Sequence, residues 1–228
     1  MQPYIFPYLG YFQLIKASDK FVIYEDVTFI KQGWINRNNI LVNGDSLLFT
    51  VPLKDVSSYK QINATLVNER NYDKWKNTFY KTIEQSYVKA PYSAEVLPII
   101  RDVLDSNHKF VSQLASKSIL RVCEYLNFNK EFGSSDIYNN NNLKSSERII
   151  DICKKENADT YINPAGGKEL YSKSIFKDNG IDLFFLKSLN TVYKQFNNDF
   201  IPSLSIIDVL MFNSPKSLNN LLEQYELI

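Results

Sequence analysis

Two carboxylates in this sequence stand where an acid needs a reason. Asp208 interrupts the apolar run from Leu204 to Met211, and a buried carboxylate is costly unless it finds partners. Asp26 follows Glu25 at the end of the apolar stretch Phe21–Tyr24, as at the carboxyl end of a strand, where α/β proteins place ligands. Alternation along a strand sends Glu25 and Asp26 to opposite faces, so one of the two is expected to enter a pocket. That one could be a general base, a metal carboxylate or a partner for Lys31 or Arg37. The plain alternatives are a solvated strand end for Asp26 and a structural hydrogen bond for Asp208. On a helix, Ser205 and Asp208 would share one face, a turn apart.

Three other groups of residues carry potential chemistry. Lys31, Trp34, Asn36, Arg37 and Asn38 combine a flat ring with amides and cations, types suited to stacking, sugar hydroxyls and phosphates. Gly166-Gly167, after Asn163, can turn backbone N–H groups toward an anion, or can simply make a tight turn that needs positive φ. No Walker loop or dinucleotide fingerprint is present. His108 is the only histidine and falls at a helix start, which removes most Ser–His and Cys–His schemes and any His-rich metal site. Cys123 and Cys153 lack metal or redox spacing and read as buried thiols of a reduced compartment. No metal site is expected.

The elements that must position these groups follow from periodicity. A short helix from Gly10 to Ala17, with Phe12 and Ile15 inward, precedes a strand at residues 20–24. A hairpin joins residues 40–42 and 47–51 through Asn43-Gly44. Residues 71–127 read as a helical insertion. Its first helix carries Trp75, Phe79, Ile83 and Tyr87 at a spacing of four, a stripe that packing alone accounts for. Beyond Asn127, strands near 130–132, 160–162 and 181–186 alternate with short helices. This predicts an α/β fold with a doubly wound, mostly parallel sheet, a helical insertion and a β-hairpin, in one domain over residues 1–228. Pro202 and Pro215 are expected in the first turns of two late helices.

At 228 residues the chain can bury roughly three quarters of its unfolded surface without disulfides or metal. Its 26 basic and 25 acidic side chains nearly cancel, which removes the general electrostatic case for nucleic acid or an anionic membrane. No signal peptide or membrane-spanning run is read, so a cytoplasmic protein without membrane insertion is expected. The opening stretch Gln2-Pro3-Tyr4-Ile5-Phe6-Pro7-Tyr8-Leu9-Gly10 has none of the composition of a disordered terminus. Its prolines and rings predict a stiff loop leading into the first helix. Gln2, Tyr4, Tyr8, Tyr11 and Gln13 are expected to wall a pocket, with Phe6 and Phe12 in the core.

Four blocks resemble the WbqC-like proteins of bacterial surface-polysaccharide gene clusters. They are Met1–Ile15, Val22–Val27 with Gly33–Asn38, Tyr161–Gly167 with Leu170 and Tyr171, and Phe200–Leu210. The sequence departs from that family's form at Glu25, Thr28 and Asn39. It also carries little or nothing of the apolar strand that relatives place before Gln2-Pro3-Tyr4. The resemblance implies a transferase of O-antigen assembly that puts glycine or a similar acyl group on the amine of a nucleotide-linked amino sugar. It implies a small-molecule substrate and one of two acyl donors, an adenylate made from ATP with Mg²⁺ or a thioester. Under it Asp26 or Asp208 is the base, Arg37 and Lys31 meet the diphosphate, and Trp34 or tyrosines stack. Asn163, Gly166, Gly167, Tyr171, Tyr193, Gln195 and Ser205 complete the expected substrate contacts. A non-catalytic precursor-binding or scaffolding protein is the alternative. A glycosyltransferase would call for an Asp-x-Asp metal pair, which the sequence lacks.

Overall fold

The opening loop is fixed by hydrogen bonds from three distant parts of the chain. In the computed structural model, which describes residues 1–189, 191–197 and 199–228, Phe6 has a left-handed backbone, φ 41°. A bulky residue holds that conformation only when its surroundings over-determine it. Here the Phe6 N–H donates to Ser118 Oγ at 2.9 Å, and its carbonyl accepts from Asn38 Nδ2 and Ser205 Oγ, both at 2.7 Å. The ring itself is in the core. Asn38→Ala removes one of the two donors to the Phe6 carbonyl and loosens the strained turn, so a loss of about 1–3 kcal/mol is expected in urea unfolding.

Helix α1 (Leu9–Ala17) follows and is buried over Leu9–Ile15. Strand β1 (Lys20–Ile23) leads to the hairpin of β2 (Arg37–Val42) and β3 (Asp45–Thr50), closed at Asn43-Gly44 with φ 51° and 87°. These left-handed angles are what an Asn-Gly hairpin turn supplies. A short antiparallel pair, β4 (Leu53–Lys54) and β5 (Leu66–Val67), precedes three helices: α2 (Glu69–Tyr87), α3 (Ser93–Leu104) and α4 (Val111–Tyr125). Phe79, Ile83 and Tyr87 of α2 are buried, with Trp75 stacked on Phe79 at 5.4 Å. Each such side chain taken from water contributes about 1.5–3 kcal/mol. The helical segment shares its core with the opening loop and α1, so it is packed into the protein rather than standing apart.

The second half holds β6 (Glu131–Ser134), α5 (Ser145–Lys155), β7 (Thr160–Pro164), α6 (Lys173–Asp178), β8 (Asp182–Ser188), α7 (Ile206–Phe212), α8 (Pro215–Leu222) and β9 (Tyr225–Leu227). Ser214 caps α8, with Pro215 in its first turn, as expected. Pro202 lies outside any helix, because α7 begins at Ile206 under the cap of Ser205.

The architecture is mixed α/β, with short parallel and antiparallel sheets in place of one continuous doubly wound sheet. β1 pairs in parallel with β6, and β7 in parallel with β8, to which β9 adds antiparallel. No strand pairing joins these two sheets among the described residues. The flank of β1 away from β6 is taken by Met1, whose nitrogen donates to Val22 O at 2.6 Å while its carbonyl accepts the Tyr24 N–H at 2.8 Å. A strand period read in the sequence predicts strands but not which edges meet. No helix of the described residues is long and apolar enough to cross a membrane.

Candidate functional site

Asp26 and Asp208 belong to two separate side-chain networks. Asp26 follows β1 and is 4% exposed. Its Oδ2 accepts from Arg148 Nη2 at 2.6 Å, and its Oδ1 accepts from Ser135 Oγ. Arg148, on α5, is held further by Asn140 Oδ1 at 2.9 Å and Asn141 Oδ1 at 2.8 Å, and lies over the Tyr24 ring at 4.7 Å. Glu25 points elsewhere and accepts from Ser134 Oγ at 2.7 Å. The alternation expected at the end of β1 is therefore present, but the inward acid meets a guanidinium and not a cavity. The sequence hinted at this: Arg148 and Ile152 share the buried stripe of α5, and a buried arginine requires an acid. Asp26 thus pairs with Arg148 and not with Lys31 or Arg37.

Several residues expected at a pocket carry the fold. The Gln13 amide is fully buried and donates to Leu221 O at 2.9 Å and Gln224 O at 3.0 Å, tying α1 to the end of α8. Tyr11 donates to Gln2 O at 2.9 Å and packs on Tyr4 at 5.8 Å between ring centroids. Asn36 donates to Val51 O at 2.8 Å, while Asn38 and Ser205 hold the Phe6 carbonyl. Arg37 donates to the carbonyls of Gly33 and Gln32 and lies 5.7 Å over the ring of Trp34, which is 44% exposed. Lys31 is exposed nearby in sequence.

The Gly-Gly pair is not the positive-φ turn that was one of its two expected readings. Neither glycine has positive φ, since Gly44 and Gly180 are the described glycines that do. Both lie in a 3-10 turn, Ala165–Leu170. A Cβ on Gly167 would fall 2.0 Å from Asn163 Nδ2, whereas one on Gly166 would meet nothing within 4 Å. Gly167 is thus required by the close approach of the Asn163 carboxamide, which also accepts from Tyr161 at 3.3 Å. Tyr171 packs edge-on to Tyr161 and Phe176. Gly167→Ala is expected to displace Asn163 and cost about 1 kcal/mol, while Gly166→Ala should stay within about 0.5 kcal/mol of wild type. Thermal melts of the two variants check the contrast.

The cavity that collects expected residues lies at the head of α1. It encloses about 440 Å³ between Tyr8–Gly10, the end of β8 at Ser188–Leu189, and the segments bearing Thr191–Tyr193 and Phe200–Leu204. The Tyr8 ring folds over Gly10, where a Cβ would come 2.6 Å from Cε2. Phe200 meets Tyr193 edge-on at 5.1 Å. The Tyr193 hydroxyl donates to Asp208 Oδ2 at 2.6 Å, and Gln195 Nε2 donates to the same oxygen at 2.7 Å. Asp208 Oδ1 accepts from Tyr87 at 2.8 Å, and Tyr87 in turn accepts the Leu41 N–H. Asp208 is fully buried. Burial lifts its carboxyl above the usual range, against the pull of the three donors. Burial, followed by the Asp208 charge, raises both phenols far above their ordinary values, so Tyr87 and Tyr193 keep their protons and donate. Tyr87 was legible only as a core ring; nothing in its spacing marks the hydroxyl.

The cysteines stand apart from this chemistry. Burial pushes the Cys123 thiol up to about 12 and that of Cys153 up to about 11, so neither is a thiolate nucleophile near neutral pH.

Fold and site together define a mixed α/β protein with an aromatic-walled cavity backed by a buried acid–phenol network. The chain belongs to the WbqC-like protein family, whose model matches residues 2–220. It is 28% identical over 210 residues to the uncharacterized protein Rv1507c of Mycobacterium tuberculosis, covering 91% of this chain and 89% of that protein. No solved structure matches it.

Proposed function

We propose that this protein is an acyl or aminoacyl transferase that forms an amide on the amine of a nucleotide-linked amino sugar in surface-polysaccharide assembly. The observation that carries the reading is the Tyr193–Asp208 pair, a phenol on a cavity wall bonded at 2.6 Å to a buried carboxylate. Such a pair can accept a proton from a bound nucleophile: the phenol oxygen takes the amine proton as its own passes to the carboxylate. The amine nitrogen then bonds to the acyl carbon. The bond from that carbon to an adenylate oxygen or a thioester sulfur breaks, and the leaving group departs with the electron pair. The raised carboxyl of Asp208 brings its proton affinity closer to the working pH, where a base is most effective.

In this scheme Asp208 is the base that acts through Tyr193, and Asp26 supports the fold through Arg148. Arg37 and Lys31 are assigned to the diphosphate. They lie on the segment whose Ile35 carbonyl accepts the Ile5 N–H of the opening loop at 3.0 Å. The protein would be incubated with a nucleotide-linked amino sugar and either glycine with ATP and Mg²⁺ or an acyl thioester. A product heavier by the acyl group, seen by mass spectrometry, supports the reading. Turnover with neither donor across a panel of amino sugars would overturn it, and tight binding without turnover would turn it into the precursor-binding protein.

A further inference from the structure

Asp208 is a buried carboxylate with a full set of neutral donors and no cation. Its three partners are Tyr87, Tyr193 and Gln195, and none of the influences on its carboxyl comes from a lysine or arginine. Among the described residues no Lys or Arg nitrogen makes an ion pair with it. The contrast with Asp26, neutralised by Arg148 at 2.6 Å, is internal to the molecule. A charge held this way costs stability unless a counter-charge arrives.

The cavity on the far side of Tyr193 is built to receive one. Its described lining contains no charged side chain: three rings (Tyr8, Tyr193, Phe200), five aliphatic residues, Pro202, hydroxyls of Ser188, Thr191 and Ser203, and backbone. A phosphate or carboxylate buried there would meet no cation and would face the Asp208 charge. A cation would meet aromatic rings, whose quadrupoles attract positive charge, with a carboxylate bonded to one of them.

From this we infer that the cavity is an ammonium site, taking the protonated primary amine of its ligand among Tyr8, Tyr193 and Phe200 with Asp208 as the counter-charge. The inference rests on the transferase reading for the identity of the ligand, an amino sugar, and extends it by naming the form in which the amine enters. The nucleotide and its diphosphate then lie outside the cavity. The ammonium gives up one proton along Tyr193 to Asp208 and attacks as the neutral amine; the second proton, shed as the amide forms, leaves with the departing adenylate oxygen or thioester sulfur.

The test compares two uncharged-ring probes that differ at one atom, a methyl 4-amino-4,6-dideoxyglycoside and the matching 4-hydroxy glycoside, by ligand-observed NMR or calorimetry. The amino probe is expected to bind at least tenfold more tightly to wild type. Asp208→Asn should abolish that preference. Should Asp208→Asn fail to fold, Val192→Lys places a cation at the cavity mouth from a residue 66% exposed, and should abolish the preference with the melting temperature unchanged. Equal binding of the two probes, or a preference that survives Val192→Lys, overturns the ammonium site, as does displacement of the amino probe by inorganic pyrophosphate. A retained amino preference with no acyl transfer from any donor sinks the transferase reading and leaves the ammonium site standing.

Discussion

Arg148→Met is expected to lower the unfolding free energy by about 3–5 kcal/mol, the cost typical of removing one partner of a buried ion pair. The variant leaves Asp26, itself 3% exposed at the side chain, with Ser135 as its remaining donor, and orphans the oxygens of Asn140 and Asn141 that Arg148 now satisfies. The pair joins the end of β1 to α5, so its loss loosens that junction. Urea unfolding measures the effect. The double variant Asp26→Leu with Arg148→Met should recover much of the loss, because two apolar groups can replace a buried pair at little cost. A loss under about 1 kcal/mol for the single variant would mean that solvent reaches the pair and screens it.

Asp208→Asn is expected to reduce acyl transfer by about 100-fold or more, in the range that a positioned base supplies. The amide keeps the size of the carboxyl but carries no charge and turns one acceptor into a donor, against Gln195 or Tyr193. Tyr193→Phe should lower the rate comparably while keeping the ring in the wall. The pH dependence of stability separates the charge from the packing. Burial raises the folded carboxyl above its unfolded value near 3.8. The folded state therefore holds its proton more tightly, and the contribution of this group to stability is complete below about pH 3.8 and is lost as pH rises through the folded value. Asp208→Asn removes that loss. Its stability relative to wild type should improve as pH rises across that window, read from unfolding curves at successive pH values.

Much of the local structure was legible because local signals are strong. The Asn43-Gly44 hairpin, the four-residue stripe of α2, the helix start at Pro215 and the apolar strands all follow from residue type and period. Strand pairing did not follow, since β6 and β8 carry the same kind of apolar run whichever neighbour they take. Residues of the site divide along the same line. The sequence marked Asp208 as an acid out of place in an apolar run and Tyr8 as a ring of the stiff opening loop, while Tyr193 and Gln195 were expected through the family resemblance. It could not tell a polar side chain turned to a ligand from one turned to a backbone carbonyl 30 or 200 residues away. Gln13, Asn38 and Ser205 are of the second kind: they satisfy the carbonyls of a strained opening loop and of the α8 terminus. The prolines and rings of that opening signalled an ordered terminus, and its order comes mainly from these amides and hydroxyls. Tyr8 alone of the five expected wall residues faces the cavity.

The central proposal is that the amine of the ligand enters the cavity at the head of α1. A photoreactive amino-sugar probe, carrying a diazirine on the sugar ring, would be irradiated with the protein and the attachment sites mapped by peptide mass spectrometry. Labels are expected on Tyr8–Gly10, on Ser188, Leu189 and Thr191–Tyr193, and on Phe200–Leu204, each lost on competition with unlabelled amino glycoside. Labels concentrated instead around Tyr24, Arg148 and the Asn163–Gly167 turn would contradict it and move the site to the Asp26 side of the molecule.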